Sequence, residues 1–563
     1  MENRSRYDLE SIQMPYLSGI GLKIFVKVLR MPVIGNLLIG NLLKTAGISA
    51  FREKTFDDEL TVKPYHYEPG NGAAAHSEIH FSEPQLPDAP GFHFWSASDY
   101  VAAYQAGDVT PEVVAKRVIA AMEDSDKHEP PLRAIIATRP TDILQQAQAS
   151  TERYRKGEPL SLLDGVPVAV KDELDMVPFP TTVGTSFLGK DPVQEDSTIA
   201  ARLRGAGALL IGKANMHEIG INVTGLNPHH GIARNPYNIQ RYTGGSSSGP
   251  ASAVAAGLCP IAIGADGGGS IRIPASFCGV VGMKSTFGRI SEFGAAPLCW
   301  SLAHNGPLAA NVRDLVLAWS LIAGPDEKDP DTLIQPAPDL QGWTNLDLSD
   351  LRMGVFWPWF RHATPEVVAG CEQMLQHFES RGAQTVAIEI PDLEAGRVAH
   401  LITIASEMAQ SMSPYQAEFD THFGLDVQTN LILARSFLAQ DYVLAQRVRT
   451  RMIKYFMQVL DEVDVIVTPA TGLIAPEIKP NTLPDGDSDL TVLTEIMRFA
   501  QPANMTGLPA IAFPVGYDQA GLPISMQVMG KPWDERTLFR MALAAEQVVE
   551  RRKPAWHYSL LED

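Results

Sequence analysis

Gly165-Val-Pro-Val-Ala-Val-Lys-Asp-Glu173 is an apolar run that stops abruptly at three consecutive charged residues. A short, continuously apolar segment suits a strand buried on both faces, and its end marks where the chain leaves the core for a polar site. Further apolar runs lie at Ala208–Ile211, Leu258–Ile263, Met353–Phe356, Val463–Val467 and Ala510–Val515, separated by stretches of helical periodicity such as Ser96–Met122. Strands alternating with helices predict an α/β fold with a central mixed sheet covered on both faces by helices. The stretch 325–442 is less regular. Its Trp357, Trp359, Phe360, Met408, Met412 and Phe437 are expected mostly in the core, with a minority lining an apolar channel.

The chain has 563 residues and a formal net charge of -19, which argues against a nucleic-acid partner, because phosphate binding draws on clustered Lys and Arg. Cys259, Cys278, Cys299 and Cys371 show neither CxxC spacing nor disulfide-scaffold density, so a reducing, cytoplasmic setting is expected, with no structural zinc site. No secretory leader is legible, and the mature chain is expected to begin near Met1.

Residues 11–51 invert the overall charge: they contain no acidic residue and carry Lys23, Lys27, Arg30 and Lys44. On a helix, Lys23, Lys27 and Arg30 share one stripe and Leu17, Ile20, Ile24 and Val28 another, with Pro32 ending it. A second apolar segment, Val33–Leu43, is interrupted by Asn36 and Asn41, and neither run is long enough to span a bilayer. Two short basic amphipathic helices suit peripheral docking on a membrane surface, and packing on the body or on a second subunit is the other reading. Residues 52–92 read as a linker or wrap, so the expected division is 1–92 for arm and linker and 93–555 for the main body.

Chemistry concentrates in Thr243-Gly-Gly-Ser-Ser-Ser-Gly249 and Gly264-Ala-Asp-Gly-Gly-Gly-Ser-Ile-Arg-Ile-Pro274. Gly267, Gly268 and Gly269, just before Ser270, can turn several N–H groups toward one point, as a tetrahedral oxyanion requires. A serine nucleophile needs a base, and a lysine buried at the end of an apolar strand can be neutral enough to serve. Lys171 is so placed, although Asp172 and Glu173 could instead hold it as a structural ion pair. Flexible loops or a phosphate nest are the alternatives for the Gly/Ser segments, but no GxxxxGK[ST] pattern is present. Gly245-Ser-Ser-Ser-Gly249 also matches G-x-S-x-G, with Ser247 central, yet the preceding Arg234–Tyr242 reads as loop, not the strand that an elbow needs. His217-Glu218 and His229-His230 lack metal-ligand spacing and read as hydrogen-bonded surface groups.

These segments, together with Asp164–Asp172, Gly212–Glu218, Gly282–Arg289 and Asn504–Ala510, resemble the amidase-signature family across most of Trp95–Glu550. The resemblance implies a central mixed twisted β-sheet with helices on both faces, no metal and no cofactor. It also implies a Ser-Ser-Lys triad: Lys171 as base, Ser246 as relay on a cis peptide and Ser270 as nucleophile, with the amides of Gly267, Gly268, Gly269 and Ser270 as oxyanion hole. Gly267 stands where other members have isoleucine or threonine. Within the family the chain is similar to the plant-type fatty acid amide hydrolases in Asp266–Ser270, in Arg234-Asn-Pro236 with Arg241–Gly245, and in its N-terminal arm. That likeness implies hydrolysis of long-chain N-acyl amides such as N-acylethanolamines, a homodimer, and a substrate channel with Leu42, Ile48, Met216 and Val223 as candidate walls. Val223 stands where the plant pattern has threonine. A short-chain or aryl amidase or urethanase with the same triad is the rival enzyme, and a membrane-surface binding protein retaining the fold is the non-enzyme alternative.

Overall fold

The computed structural model describes residues 7–66, 81, 84, 86 and 89–562. The Gly- and His-rich part of the expected linker, 67–80, lies outside the described residues. Eleven strands form one mixed sheet: β1 (Ile135–Ala137), β2 (Pro167–Lys171), β3 (Leu209–Ala214), β4 (Ile261–Ala265), β5 (Val281–Lys284), β6 (Asn305–Ala309), β7 (Arg352–Val355), β8 (Gln384–Ala387), β9 (Val465–Pro469), β10 (Ala510–Tyr517) and β11 (Pro523–Gly530). Their spatial order is β8-β7-β9-β11-β10-β5-β6-β4-β2-β3-β1. The pairs at β8-β7-β9 and at β4-β2-β3 are parallel, and the strands between them run antiparallel.

Alternation along the strands shows why both faces are covered. Val465 and Val467 of β9 join one apolar cluster with Ile511, Phe513 and Val528, whereas Ile466 joins a second with Ala510 and Met529. All are buried, and each fully buried aliphatic side chain contributes roughly 1.5–3 kcal/mol. Six apolar runs read from sequence are therefore strands, because a strand with two covered faces has no polar side to show. Ser96–Met122 is not one helix but two, Ala97–Ala106 and Pro111–Ser125. Gly107 at φ 79 ends the first, and Thr110, accepting from the Val113 amide, caps the second. The 234–242 segment, expected as loop, is a small hairpin of Arg234–Asn235 and Asn238–Tyr242.

The arm forms helices Gly19–Leu29, Ile34–Thr45 and Ile48–Arg52, and its Leu17–Ser18 strand pairs with Asp487–Ser488. The first helix ends just before Pro32, as expected, but the buried stripe is Leu22, Val26 and Leu29. Ile20 and Ile24, from the stripe expected to be the apolar face, are 77% and 57% exposed. The helix is apolar on two sides, and the ion pairs Lys23–Asp485 (2.7 Å) and Arg30–Asp420 (2.5 Å) flank the side that meets the body. Leu43, Ile48, Phe51 and Phe56 continue the second apolar cluster over helices Leu393–Ser411 and Ala439–Glu462. No helix among the described residues is long and apolar enough to cross a membrane.

Candidate active site

Three neighbouring parallel strands deliver the candidate residues to one edge of the sheet. β2 ends in Lys171, β3 leads into Asn215–His217, and β4 leads from Ala265 into the Asp266–Ser270 turn. The carboxyl ends of parallel strands are where loops are free to build a site.

Lys171 is fully buried. Its Nζ lies 2.8 Å from Ser246 Oγ, 3.2 Å from the Ala265 carbonyl and 2.7 Å from Glu173 Oε2. Contact with the Gly/Ser segment and a structural ion pair, alternatives in the sequence, are thus both made by one nitrogen. Asp172 turns elsewhere, to Lys213 at 3.4 Å and the Gly184 amide at 3.1 Å. Ser246 follows a cis Gly245–Ser246 peptide, and its carbonyl accepts the His217 amide at 3.0 Å. A side chain at 245 would place its Cβ 2.7 Å from the Gly225 nitrogen.

Ser247 splints the two segments. Its amide donates to the Ser270 carbonyl at 3.1 Å, and its Oγ bonds both the N–H and the C=O of Ala265. It is fully buried, which excludes it as an elbow nucleophile.

Asp266 shapes the turn before Ser270. It accepts from the amides of Gly269 (2.6 Å) and Ile271 (3.1 Å), from the Arg272 guanidinium at 3.0 Å and from Asn504. Burial alone would raise this carboxyl, but the charge and hydrogen bonds of Arg272, with Lys284 and the Gly269 amide, hold it far below the usual carboxylate range. The arrangement corrects one expectation: the Gly269 amide is committed to Asp266 and is not an oxyanion donor. The amides of Gly267, Gly268 and Ser270 have no acceptor among the described residues. His400 Nε2 donates to the Gly267 carbonyl at 2.9 Å, and burial pushes this histidine down to about 4, so it is neutral at physiological pH. A Cβ at 267 would lie 2.6 Å from Cys299 Sγ, and one at 268 would lie 2.7 Å from His400 Cε1, so a side chain at either position requires the facing side chain to shift.

Ser270 and Gly268 open into a cavity of about 160 Å³ whose sides include Leu401, Ile404, Leu433, Leu493 and Met497. The arm closes it with Leu9, Ile12, Met14 and Leu42. Of the expected channel residues, Leu42 and Val223 are on its wall. Ile48 and Met216 are not: both are fully buried in the second apolar cluster. Nor do Trp359, Phe360, Met408 or Met412 reach it; they are core. His217 and Glu218, expected at the surface, are buried: His217 faces Asp426 at 3.0 Å, and Glu218 holds His229 at 2.6 Å and the Gly424 amide at 2.8 Å. Asp266 was within reach of sequence reasoning, since it directly precedes the glycine run; His400, 133 residues beyond Gly267, carries no such signal.

The Amidase family profile matches residues 117–539. Fatty acid amide hydrolase of Oryza sativa subsp. indica is 40% identical over 588 aligned residues, covering 99% of this chain and 96% of that protein. Fatty acid amide hydrolase of Arabidopsis thaliana is 38% identical with the same coverage. Among solved structures, the native peptide amidase of Stenotrophomonas maltophilia is similar with a TM-score of 0.70 and 28% identity, covering 82% of this chain and 98% of that one.

Proposed function

The chain belongs to the amidase family, and from that premise we propose that it hydrolyses long-chain N-acyl amides, N-acylethanolamines among them, through an acyl-enzyme on Ser270. The observation that carries this reading is the cavity: Ser270 stands at one end of a largely aliphatic space whose cover is supplied by the N-terminal arm. A small amide would not need such a cover.

In the proposed cycle the substrate carbonyl sits against Ser270, and Ser270 Oγ attacks it as its proton passes to Ser246 and the Ser246 proton passes to Lys171. The amides of Gly267, Gly268 and Ser270 stabilise the oxyanion. The proton returns along the same path to the amine, which cannot leave as an anion. Water then enters by the same steps, with Ser270 as leaving group, and releases the fatty acid. Val223, Asn222 and Gly220 line the cavity at its catalytic end and would meet the amine side of the substrate.

The proposal extends to substrate entry. Ile20 and Ile24 on the first arm helix, Ile34 and Leu37 on the second, and Val33 between the two are all at least half exposed, beside the exposed Lys27. An apolar surface of this kind suits docking on a lipid bilayer. Light scattering reads directly whether the homodimer implied by the resemblance forms.

The deciding experiment is hydrolysis of N-acylethanolamines from acetyl to long-chain acyl groups, with and without anionic liposomes. The expected result is activity that rises with acyl length and with lipid surface. Preference for short or aryl amides, indifferent to liposomes, would overturn the substrate assignment and leave the triad standing.

A further inference from the structure

Lys171 has more partners than a base needs. A neutral amine offers two N–H bonds and one lone pair, and an ammonium offers three N–H bonds. The three neighbours of Lys171 Nζ differ in what they can do. The Ala265 carbonyl and the Glu173 carboxylate only accept, and the Ser246 hydroxyl can either accept or donate. Lys171 Nζ makes hydrogen bonds to Ser246 and Ala265 and has the Glu173 carboxylate as ion-pair partner; a neutral amine that turns its two N–H bonds toward Ala265 and Glu173 has its lone pair left for the Ser246 hydroxyl proton.

We infer that Glu173 is the positioning residue of the general base, aiming the Lys171 lone pair at Ser246. The inference rests on the reading of Lys171 as base. When Ser270 attacks, its proton forms a new O–H bond on Ser246, and the former Ser246 proton forms the third N–H bond on Lys171. The same three neighbours then accept from the ammonium, so neither protonation state requires a side chain to move. Glu173 also supplies the negative charge that sustains the ammonium until the amine collects the proton.

The surroundings fit a carboxylate kept for this purpose. Glu173 is buried, and Lys171 is its ion-pair partner at 2.7 Å. Glu292 and Cys299 face the same group, with Glu407 behind Cys299 on the Leu393–Ser411 helix. Burial pushes Glu292 up to about 8, with the Glu173 charge adding to the shift, and raises both the Cys299 thiol and Glu407. Glu292 and Cys299 therefore stay largely protonated at neutral pH, and of these groups only Glu173 lies within ion-pair distance of Lys171 Nζ.

Glu173→Gln keeps an acceptor oxygen and removes the charge; Glu173→Leu removes both. For Glu173→Gln, the acid limb of the kcat/KM profile should move to lower pH by about one unit, because a lysine without an anionic neighbour deprotonates more easily. KM should not change. For Glu173→Leu, kcat and the rate of fluorophosphonate labelling at Ser270 should fall together by about 10²-fold, again at constant KM. An unmoved acid limb in Glu173→Gln overturns the inference, and that variant decides alone if Glu173→Leu does not fold. Lys171→Ala separates the two levels: if it retains the wild-type rate and pH profile, the base assignment itself is wrong, whereas its inactivity beside unaffected Glu173 variants rejects only the role of Glu173.

Discussion

The two ends of the cavity are built by opposite rules. At the catalytic end Lys171, Ser246, Asp266 and Ser270 are buried on the carboxyl edge of parallel strands, and Asp266 alone ties down two amides, a guanidinium and a carboxamide. At the arm end the helices bury one apolar stripe and leave Ile20, Ile24, Val33 and Leu37 to solvent. The body holds them through ion pairs that are a third or more exposed on the basic side. Such pairs contribute about 0–1 kcal/mol, whereas breaking a buried pair costs about 3–5 kcal/mol. On the proposed reading, the first end carries the chemistry and the second the access.

That contrast can be broken by substitution. The largest expected effect is on chemistry without stability: Ser270→Ala should lower turnover on the order of 10⁵-fold with little change in Tm, since it removes one hydroxyl from a cavity wall. The next is on stability. Asp266→Ala strands the fully buried Arg272 and should cost about 3–5 kcal/mol in denaturant titration, in addition to disordering the turn at Ser270. A third effect depends on pH. Burial holds His400 at about 4, and an unfolded histidine titrates near 6.5, so between these values the unfolded chain binds a proton that the folded one refuses. Stability should fall as pH drops from about 6.5 to about 4 and gain no further loss from this group below that; His400→Gln should flatten the slope.

The arm end should respond more weakly and in different observables. Leu42→Trp narrows the cavity from the arm side and should raise KM for long-chain amides about tenfold while sparing short ones. Leu37→Asp should reduce binding to anionic liposomes in a flotation assay yet shift stability by no more than about 0.5 kcal/mol, because the side chain is already 68% exposed. A large loss of stability from Leu37→Asp, or none from Asp266→Ala, would erase the distinction between the two ends.

The same contrast explains what could be read from the sequence. Strands β2, β3, β4, β7, β9 and β10 were legible because burial on both faces writes an uninterrupted apolar run. The 234–242 hairpin was not, since Asn238 and Gln240 are exposed and only Tyr242 of the second strand is buried. In the arm the apolar residues go round the helix, so periodicity alone could not choose between Ile20/Ile24 and Leu22/Val26; the surface on which the helix packs, with Asp485 and Asp420 beside it, is made hundreds of residues away. Ile48 and Met216 were placed on the channel by resemblance, but proximity to a cavity is not exposure to it, and both side chains point into packed core. The commitment of the Gly269 amide was hidden for a similar reason. A motif names the residues of a turn, not which of its N–H groups are already spoken for.

Tyr7 bonds His362, Arg30 bonds Asp420, Arg52 bonds Asp441, and Leu17–Ser18 pairs with Asp487–Ser488, so every one of these contacts joins an early residue to one made more than 350 residues later. On a ribosome the cover of the cavity is therefore synthesised well before the surface it covers, and its apolar helices travel without their docking partners until most of the chain has emerged.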